Sequence, residues 1–163
     1  MPVGEWPTIV ADPPWRFTNS EMPCSAENHY ATMSVEALGA LAMPAPANAH
    51  LYLWATNSTL QSAFELVADW GYEYKTLLTW SKPQMGLGTW FRNTTEHVLF
   101  AVRGTLPLRR NDLRTWFEAP RTKHSVKPEL FYELVAQASP GPYLDLFARR
   151  SRPGWDAWGN EVA

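Results

Sequence analysis

The pattern of apolar and polar positions along the chain predicts short buried strands that alternate with amphipathic helices. Short segments rich in apolar side chains, typical of buried strands, occur at residues 8–11, 50–55, 74–80, 96–102 and 143–147. Weaker strand signals lie near Trp116 and at residues 155–158. Strands that alternate with helices in this way indicate an α/β layer fold with a largely parallel sheet.

Three segments have the start and stop signals of helices. Ser34 can cap a helix over residues 35–42, and Ser58 can cap a second helix that runs through Trp70. Pro128 suits the first turn of a third helix that runs to Ala138. The apolar faces of the second and third helices are predicted to contain Leu60, Phe64, Val67, Leu130, Leu134 and Val135. Residues 16–33 and 82–95 are predicted to be long loops, which are often functional.

Composition narrows the class of protein. A chain of 163 residues with 45% hydrophobic side chains can bury a sizeable core, so we expect one domain over residues 1–163. Nine tryptophans are unusual at this length, which suggests that several face a flat ligand. The single cysteine fits a reducing cytoplasm, and no apolar run is long enough to predict a membrane span.

The net charge of −2 is unevenly distributed. Residues 1–91 carry three basic and eight acidic side chains, whereas residues 92–163 carry eleven basic and eight acidic ones. A basic C-terminal half can steer a polyanion such as nucleic acid, although an unevenly charged solvated surface explains the count equally well. The four histidines have no ligand spacing with each other or with the cysteine, so no metal site is expected.

Asp12, Pro13, Pro14 and Trp15 follow the first predicted strand directly and are the candidate catalytic residues. Ligands of open α/β sheets bind beyond the carboxyl ends of the strands, which is where Asp12 stands. The Asp12 carboxylate and the Pro13 carbonyl can both accept hydrogen bonds from an exocyclic amine, and Trp15 can stack on the ring that bears it. The plainer interpretation is a Pro-Pro turn followed by a core tryptophan.

Two acceptors suit the chemistry of an aromatic amine such as N6 of adenine. The lone pair of this nitrogen is delocalised into the ring, so the amine is a poor nucleophile. Acceptors on its two protons localise the lone pair and stabilise the positive charge that develops during attack, which is electrostatic preorganisation for the transition state. The methyl donor must lie in line with that lone pair, so positioning contributes as well.

This motif is part of a resemblance that covers nearly the whole chain. The sequence resembles the adenine-N6 methyltransferases with an Asp-Pro-Pro-Trp motif, which include the catalytic subunit of the eukaryotic messenger-RNA writer and many bacterial and phage enzymes. The other matching segments are His29–Ser34, Leu51–Trp54, Trp80–Lys82, Thr95–His97, His124–Pro128, Leu144–Arg149 and Gly154–Glu161. The resemblance implies a Rossmann-like methyltransferase fold, a three-layer sandwich around a mostly parallel sheet.

The resemblance also implies S-adenosyl-L-methionine as the cofactor. Asp145 can accept from its ammonium or a hydroxyl, Asn160 or Glu161 can bind the ribose hydroxyls, and Lys127 can pair with its carboxylate at a helix start. Lys127 could otherwise be a solvated side chain, and Phe147 a core residue. The complete predicted cofactor set is Ala11, Asp12, Lys127, Asp145, Leu146, Phe147, Arg149, Asn160 and Glu161.

A second set of residues is expected to bind the substrate. By resemblance, Tyr30, Trp90, Arg92, Glu96 and His97 border the acceptor pocket or the loop that closes on it. Basic side chains in the same regions can contact phosphates, namely Lys82, Arg92, Arg109, Arg110, Arg121 and Lys123. A charged surface is the plainer interpretation of the last four, and a hydrogen-bonded core histidine is the plainer interpretation of His97.

Two classes of function remain open. The first is an enzyme that methylates N6 of adenine in DNA, or alternatively in RNA, on a single strand or a flipped base. The second is a non-catalytic nucleic-acid-binding partner subunit, which the intact motif, Lys127 and Asn160 disfavour. Because related domains often pair, the resemblance predicts a homodimer or a heterodimer with a related subunit.

Overall fold

The computed structural model describes residues 1–16, 32–88, 90–121, 126–160 and 162. Within these ranges, the strands are β1 (Thr8–Ala11), β2 (Ala49–Ala55), β3 (Glu73–Ser81), β4 (Thr95–Arg103), β5 (Trp116–Glu118), β6 (Tyr143–Leu146) and β7 (Asp156–Trp158). The helices are α1 (Val35–Gly39), α2 (Leu60–Asp69) and α3 (Glu129–Ala138). None of the helices in the described ranges has the length and apolar content needed to cross a membrane.

The strands form one sheet in the order β5-β3-β4-β2-β1-β6-β7. Only β4 runs antiparallel to its described neighbours, so the other six strands end at the same edge, which we call the carboxyl edge. The chain leaves β1 for β2 on one side and later returns to place β6 on the other. The crevice beyond the end of β1 is therefore the topological switch point, where α/β sheets bind ligands.

Side-chain alternation along the central strands divides the core into two layers. Ile9 and Leu51 pack on the face covered by α1 and α2, whereas Val10 and Tyr52 pack on the face covered by α3. Both layers are needed because strands buried on two faces expose apolar side chains in both directions. The arrangement confirms the predicted α/β fold, with helices on both faces of a mostly parallel sheet.

The start and end of two helices differ from the predictions. The first helix ends at Gly39 rather than at residue 42, and the chain beyond it pairs with the N-terminal segment through a 3.0 Å bond from Trp6 N to Pro44 O. Ser34 caps this helix as predicted, because its hydroxyl accepts from Ala37 N. Ser58 does not cap α2: the cap is Thr59, and the Ser58 hydroxyl bonds Thr56 instead.

The predicted apolar faces of the longer helices were partly wrong. Phe64 is 40% exposed and Leu130 is 45% exposed. The buried residues of these helices are Ala63, Leu66, Val67, Phe131, Tyr132, Val135 and Ala138. On α3 the aromatic side chains displace the leucine from the core, since Phe131 packs edge-on against Trp54 with ring centroids 4.7 Å apart. Large rings bury more apolar area than leucine does, so they set the rotation of the helix.

Candidate active site

A cleft of about 330 Å³, open to solvent, lies at the switch point on the carboxyl edge. It is lined by Asp12, Val126, Lys127, Tyr132, Asp145, Phe147, Ala148, Arg149, Arg150 and Arg152. Five of these residues belong to the predicted cofactor set, and the structure brings them together from the ends of β1 and β6 and the start of α3.

Asp12 lies at the mouth of the crevice between β1 and β6. Its backbone N–H donates to Leu146 O at 3.2 Å, which ties it to the end of the neighbouring strand. Its side chain is 19% exposed, and Oδ1 is 3.2 Å from Lys127 Nζ. Burial raises the pKa of the Asp12 carboxyl above its ordinary value, and the Lys127 ammonium offsets part of that shift. The charge of this acceptor therefore depends mainly on Lys127, with a smaller contribution from Arg149.

Asp12 belongs to a row of four charged side chains of alternating sign, namely Asp12, Lys127, Glu96 and Lys82. Lys127 Nζ also lies 2.9 Å from Glu96 Oε2, and the other oxygen of Glu96 pairs with Lys82. Burial alone would raise the pKa of Glu96, but the two ammonium groups outweigh burial and hold that pKa at about 2. Burial would lower the pKa of Lys127, yet its two carboxylate partners raise it. Both groups are consequently ionised at neutral pH.

The structure separates the roles of the Asp-Pro-Pro-Trp residues. Pro13 O accepts from Trp15 N at 2.8 Å, which leaves its second lone pair for another donor. Trp15 is only 6% exposed and packs in the core, and its indole N–H donates to Trp54 O at 3.1 Å. The face of Trp15 is therefore covered, in contrast to the stacking wall expected from the sequence. A tryptophan that buries its ring and satisfies its N–H stabilises the turn that carries Asp12.

Asp145 is 5% exposed and already has two partners within the protein. Tyr132 Oη donates to Asp145 Oδ2 at 3.0 Å, and Arg152 Nη1 donates to the same oxygen at 3.1 Å. The Arg152 guanidinium also lies over the Tyr132 ring and bonds Glu129. Sequence reasoning missed Tyr132 and Arg152, although a buried carboxylate at a strand end requires some cationic partner.

Burial raises the pKa of Asp145 to about 6, against the opposing effect of Arg152 and Tyr132. Between pH 4 and 6 the folded protein then binds a proton that the unfolded chain has released, so stability falls as pH rises through this window, by roughly 3 kcal/mol. We expect Asp145→Asn to flatten this decline, as measured by urea unfolding from pH 4.5 to 7.5. The depressed pKa of Glu96 affects stability in a lower pH range. It contributes stability that is present above about pH 4 and is lost as the pH falls towards 2. An unchanged slope in the variant would exclude Asp145 as the source.

Two more residues of the predicted cofactor set lie in the loop after β6. Phe147 and Arg149 line the cleft, and Phe147 adopts a left-handed backbone with φ of 65°. The segment after β7 packs closely on this loop: a Cβ on Gly159 would lie 2.2 Å from Ala148 O, so only glycine fits. Asn160 follows directly and is exposed. Ala11 and Leu146 have fully buried side chains, so only their backbone atoms can face a ligand.

The predicted substrate residues that the structure describes lie in three different settings. Lys82 and Glu96 belong to the charge network beside Asp12, whereas Trp90 and Arg92 are exposed on the connection between β3 and β4. His97 bonds Thr79 Oγ1 at 3.1 Å and Asn57 Oδ1 at 2.8 Å, and burial lowers its pKa. This is the geometry of a hydrogen-bonded structural histidine. Tyr30 and Glu161 lie outside the described residues.

Comparison with known proteins identifies the family. Residues 6–161 match the MT-A70 family model. The chain is 28% identical to the type II methyltransferase M.MunI of Mycoplasma sp, over 99% of the chain and 80% of that protein. It is 33% identical to the human N(6)-adenine-specific methyltransferase METTL4 over 94% of the chain, and 27% identical to the human N(6)-adenosine-methyltransferase catalytic subunit METTL3 over 98% of it. The chain spans only 37% and 29% of the lengths of these two human proteins.

These matches confirm the resemblance inferred from the sequence. The family model covers almost the whole chain, including the turn that carries Asp12 and the strands on both sides of the cleft. The chain belongs to the MT-A70 family of adenine-N6 methyltransferases.

Proposed function

We propose that this chain is an S-adenosyl-L-methionine-dependent methyltransferase that acts on N6 of adenine in DNA. The observation that carries the proposal is the Asp12 carboxylate, paired with Lys127 at the switch point and facing the cleft. We further infer that residues 1–163 act as one domain in the cytoplasm, the latter because a single cysteine suits a reducing compartment.

The residues around the cleft fit the cofactor chemically. Lys127 and Arg149 offer cations for its carboxylate, and Asp145 offers a carboxylate for its ammonium. Asn160, which is exposed after β7 and is not part of the cleft lining, offers an amide for its ribose hydroxyls. Phe147 lines the same cleft and supplies an apolar surface. When bound, S-adenosyl-L-methionine supplies an electrophilic methyl group.

The chain's own contribution to transfer is to activate and orient the amine. The Asp12 carboxylate and the free lone pair of Pro13 O accept from the two amine protons, which concentrates electron density on N6. The positive charge that develops on nitrogen is stabilised by the carboxylate, which Lys127 keeps in position. After transfer the methylated N6 carries a positive charge and must lose a proton. This proton can pass to the Asp12 carboxylate and then to solvent, since the Asp12 side chain is 19% exposed.

DNA is preferred to RNA because the chain spans 80% of a type II methyltransferase and much smaller shares of the N(6)-adenosine enzymes. RNA is the second candidate, supported by 27% identity with the METTL3 catalytic subunit. The adenine must be unpaired or flipped to reach a carboxylate in a crevice. We infer that the active form is a homodimer or a heterodimer with a related subunit.

Matched DNA and RNA oligonucleotides of the same sequence, single- and double-stranded, test the proposal with methyl-labelled cofactor. Label in N6-methyladenine of DNA supports it, whereas transfer to RNA alone favours the second candidate. Cofactor binding without transfer to either polymer, even with candidate partner subunits present, would instead indicate a non-catalytic subunit.

A further inference from the structure

The connection between β3 and β4 continues the hairpin beyond the carboxyl edge. We call residues 82–88 and 90–94 the β3–β4 extension. Lys82 N donates to Thr94 O at 2.8 Å, and Gly86 N donates to Asn93 O at 2.9 Å. The extension therefore begins at Lys82, beside the charge network of Asp12, and projects away from the sheet.

Two adjacent aromatic side chains are exposed near the end of the extension. Trp90 is 92% exposed and Phe91 is 89% exposed, with Leu87 at 72% and Met85 at 75%. The backbone here is tightly folded, since a Cβ on Gly88 would lie 1.9 Å from Phe91 O. Exposed apolar clusters of this kind mark interaction sites.

Hydrogen bonds brace the extension against the sheet. Asn93 Nδ2 donates to Leu87 O at 2.9 Å, and Asn57 Nδ2 donates to Asn93 Oδ1 at 3.2 Å. Asn57 Oδ1 in turn accepts from His97 Nε2, whose other nitrogen bonds Thr79 on β3. This chain of bonds links the extension to β3, to β4 and to the turn after β2, so the backbone on both sides of the aromatic pair is tied to the sheet.

The charge around the aromatic pair is suited to a polyanion. Residues 82–94 contain Lys82 and Arg92 and no acidic residue. Arg121 is exposed and lies alongside, because its N–H donates to Gln84 Oε1 at 3.1 Å. Glu96, the carboxylate at the base, is already paired with two lysines. If two copies of the chain paired symmetrically through this surface, Arg92 and Arg121 would lie close to the same arginines of the other copy. The repulsion between these like charges favours a polyanion over a second copy as the occupant of this surface.

We propose that Trp90 and Phe91 form a stacking platform for unpaired nucleotides that flank the target adenine, with Arg92 and Arg121 on their phosphates. This inference rests on the proposed function, and it identifies the nucleotides beside the target adenine as the part of the substrate that the extension binds. Aromatic platforms flanked by basic side chains bind single strands with little sequence preference.

The length of the extension sets the reach of the platform. Gly86 lies four residue steps beyond Lys82, so the chain spans at most about 14 Å between them. That distance corresponds to roughly four nucleotides at ~3.4 Å per stacked step. Gly86 pairs with Asn93, which lies within three residues of Trp90 and Phe91, so we expect the bound strand to extend on the order of four nucleotides beyond the adenine on one side.

Single-stranded oligonucleotides with one adenine and zero to eight flanking nucleotides on either side test this footprint. Binding is measured by fluorescence anisotropy without cofactor, for the wild-type chain and for Trp90→Ala/Phe91→Ala. We expect wild-type affinity to rise up to about four nucleotides on one side, and the double variant to bind the long strands about 5- to 100-fold more weakly. The shortest strands should bind both proteins equally.

Matched controls separate stacking from other effects. Trp116→Ala removes an exposed tryptophan from β5 and should retain the length dependence, as should Trp90→Tyr/Phe91→Tyr, which keeps the aromatic faces. An unchanged length dependence in the alanine variant overturns the proposal. So does loss of a sedimenting dimer with nucleotide binding intact, because the platform would then hold a second copy. Platform-dependent binding without methyl transfer would uphold the platform while the proposed function fails.

Discussion

Replacing Asp12 with asparagine is expected to reduce kcat by about 10²- to 10³-fold, the range measured when one preorganised polar group is removed from a transition state. Asparagine keeps the shape and one acceptor oxygen, but it cannot balance the positive charge that develops on N6. Alanine, which removes both acceptor oxygens, should abolish transfer. The measurement is single-turnover methylation of an adenine-containing oligonucleotide with saturating cofactor.

The fold should survive this change, because Lys127 keeps Glu96 as a partner and is not left alone. Unfolding in urea therefore serves as one control, and Asp69→Asn on the exposed end of α2 serves as the matched carboxylate control with unchanged turnover. Retention of near-normal kcat in Asp12→Asn would remove the carboxylate charge from the mechanism.

Much of the fold could be predicted because strand periodicity is a local property. The first strand was located correctly at residues 8–11, since an apolar run there meets two prolines that cannot extend a sheet. The buried faces of the helices were harder to predict, because leucine and phenylalanine fit the helical pattern of apolar positions equally well. The rotation of α3 depends on Phe131 filling a space between Tyr52 and Trp54, which belong to a strand about eighty residues away in sequence.

The candidate site also has a part that could be predicted from the sequence and a part that could not. Asp12, Lys127, Phe147 and Arg149 were expected at one place because they belong to recurring motifs, and the cleft contains all four. The bridge made by Glu96 was not predicted, since it depends on the antiparallel alignment of β4 beside β2 and β3. That alignment brings a carboxylate from residue 96 between ammonium groups from residues 82 and 127. Periodicity within one strand carries no signal for such a contact.

Lys127→Met is expected to have the second large effect, because it removes the cation that lies between two carboxylates. Asp12 and Glu96 would then repel each other in a partly buried site, so the pKa of each should rise. Breaking a buried pair by removing one partner typically costs about 3 kcal/mol or more. We expect that loss in urea unfolding at pH 8, and a smaller loss at pH 5, where protonation relieves the repulsion.

Catalysis by Lys127→Met should change in a way that a purely structural role would not produce. Only the ionised Asp12 balances the positive charge that develops on the amine, so the acid limb of the pH–rate profile should move to higher pH. The KM for cofactor should also rise, because the cofactor carboxylate loses a partner. Adding Glu96→Gln should return the acid limb towards its wild-type position without restoring the KM, because it removes the repulsion but supplies no cation. Lys75→Met, which removes an exposed lysine on β3, should leave the profile unchanged. An acid limb that stays in place in Lys127→Met would show that the charge of Asp12 is set by something other than this lysine.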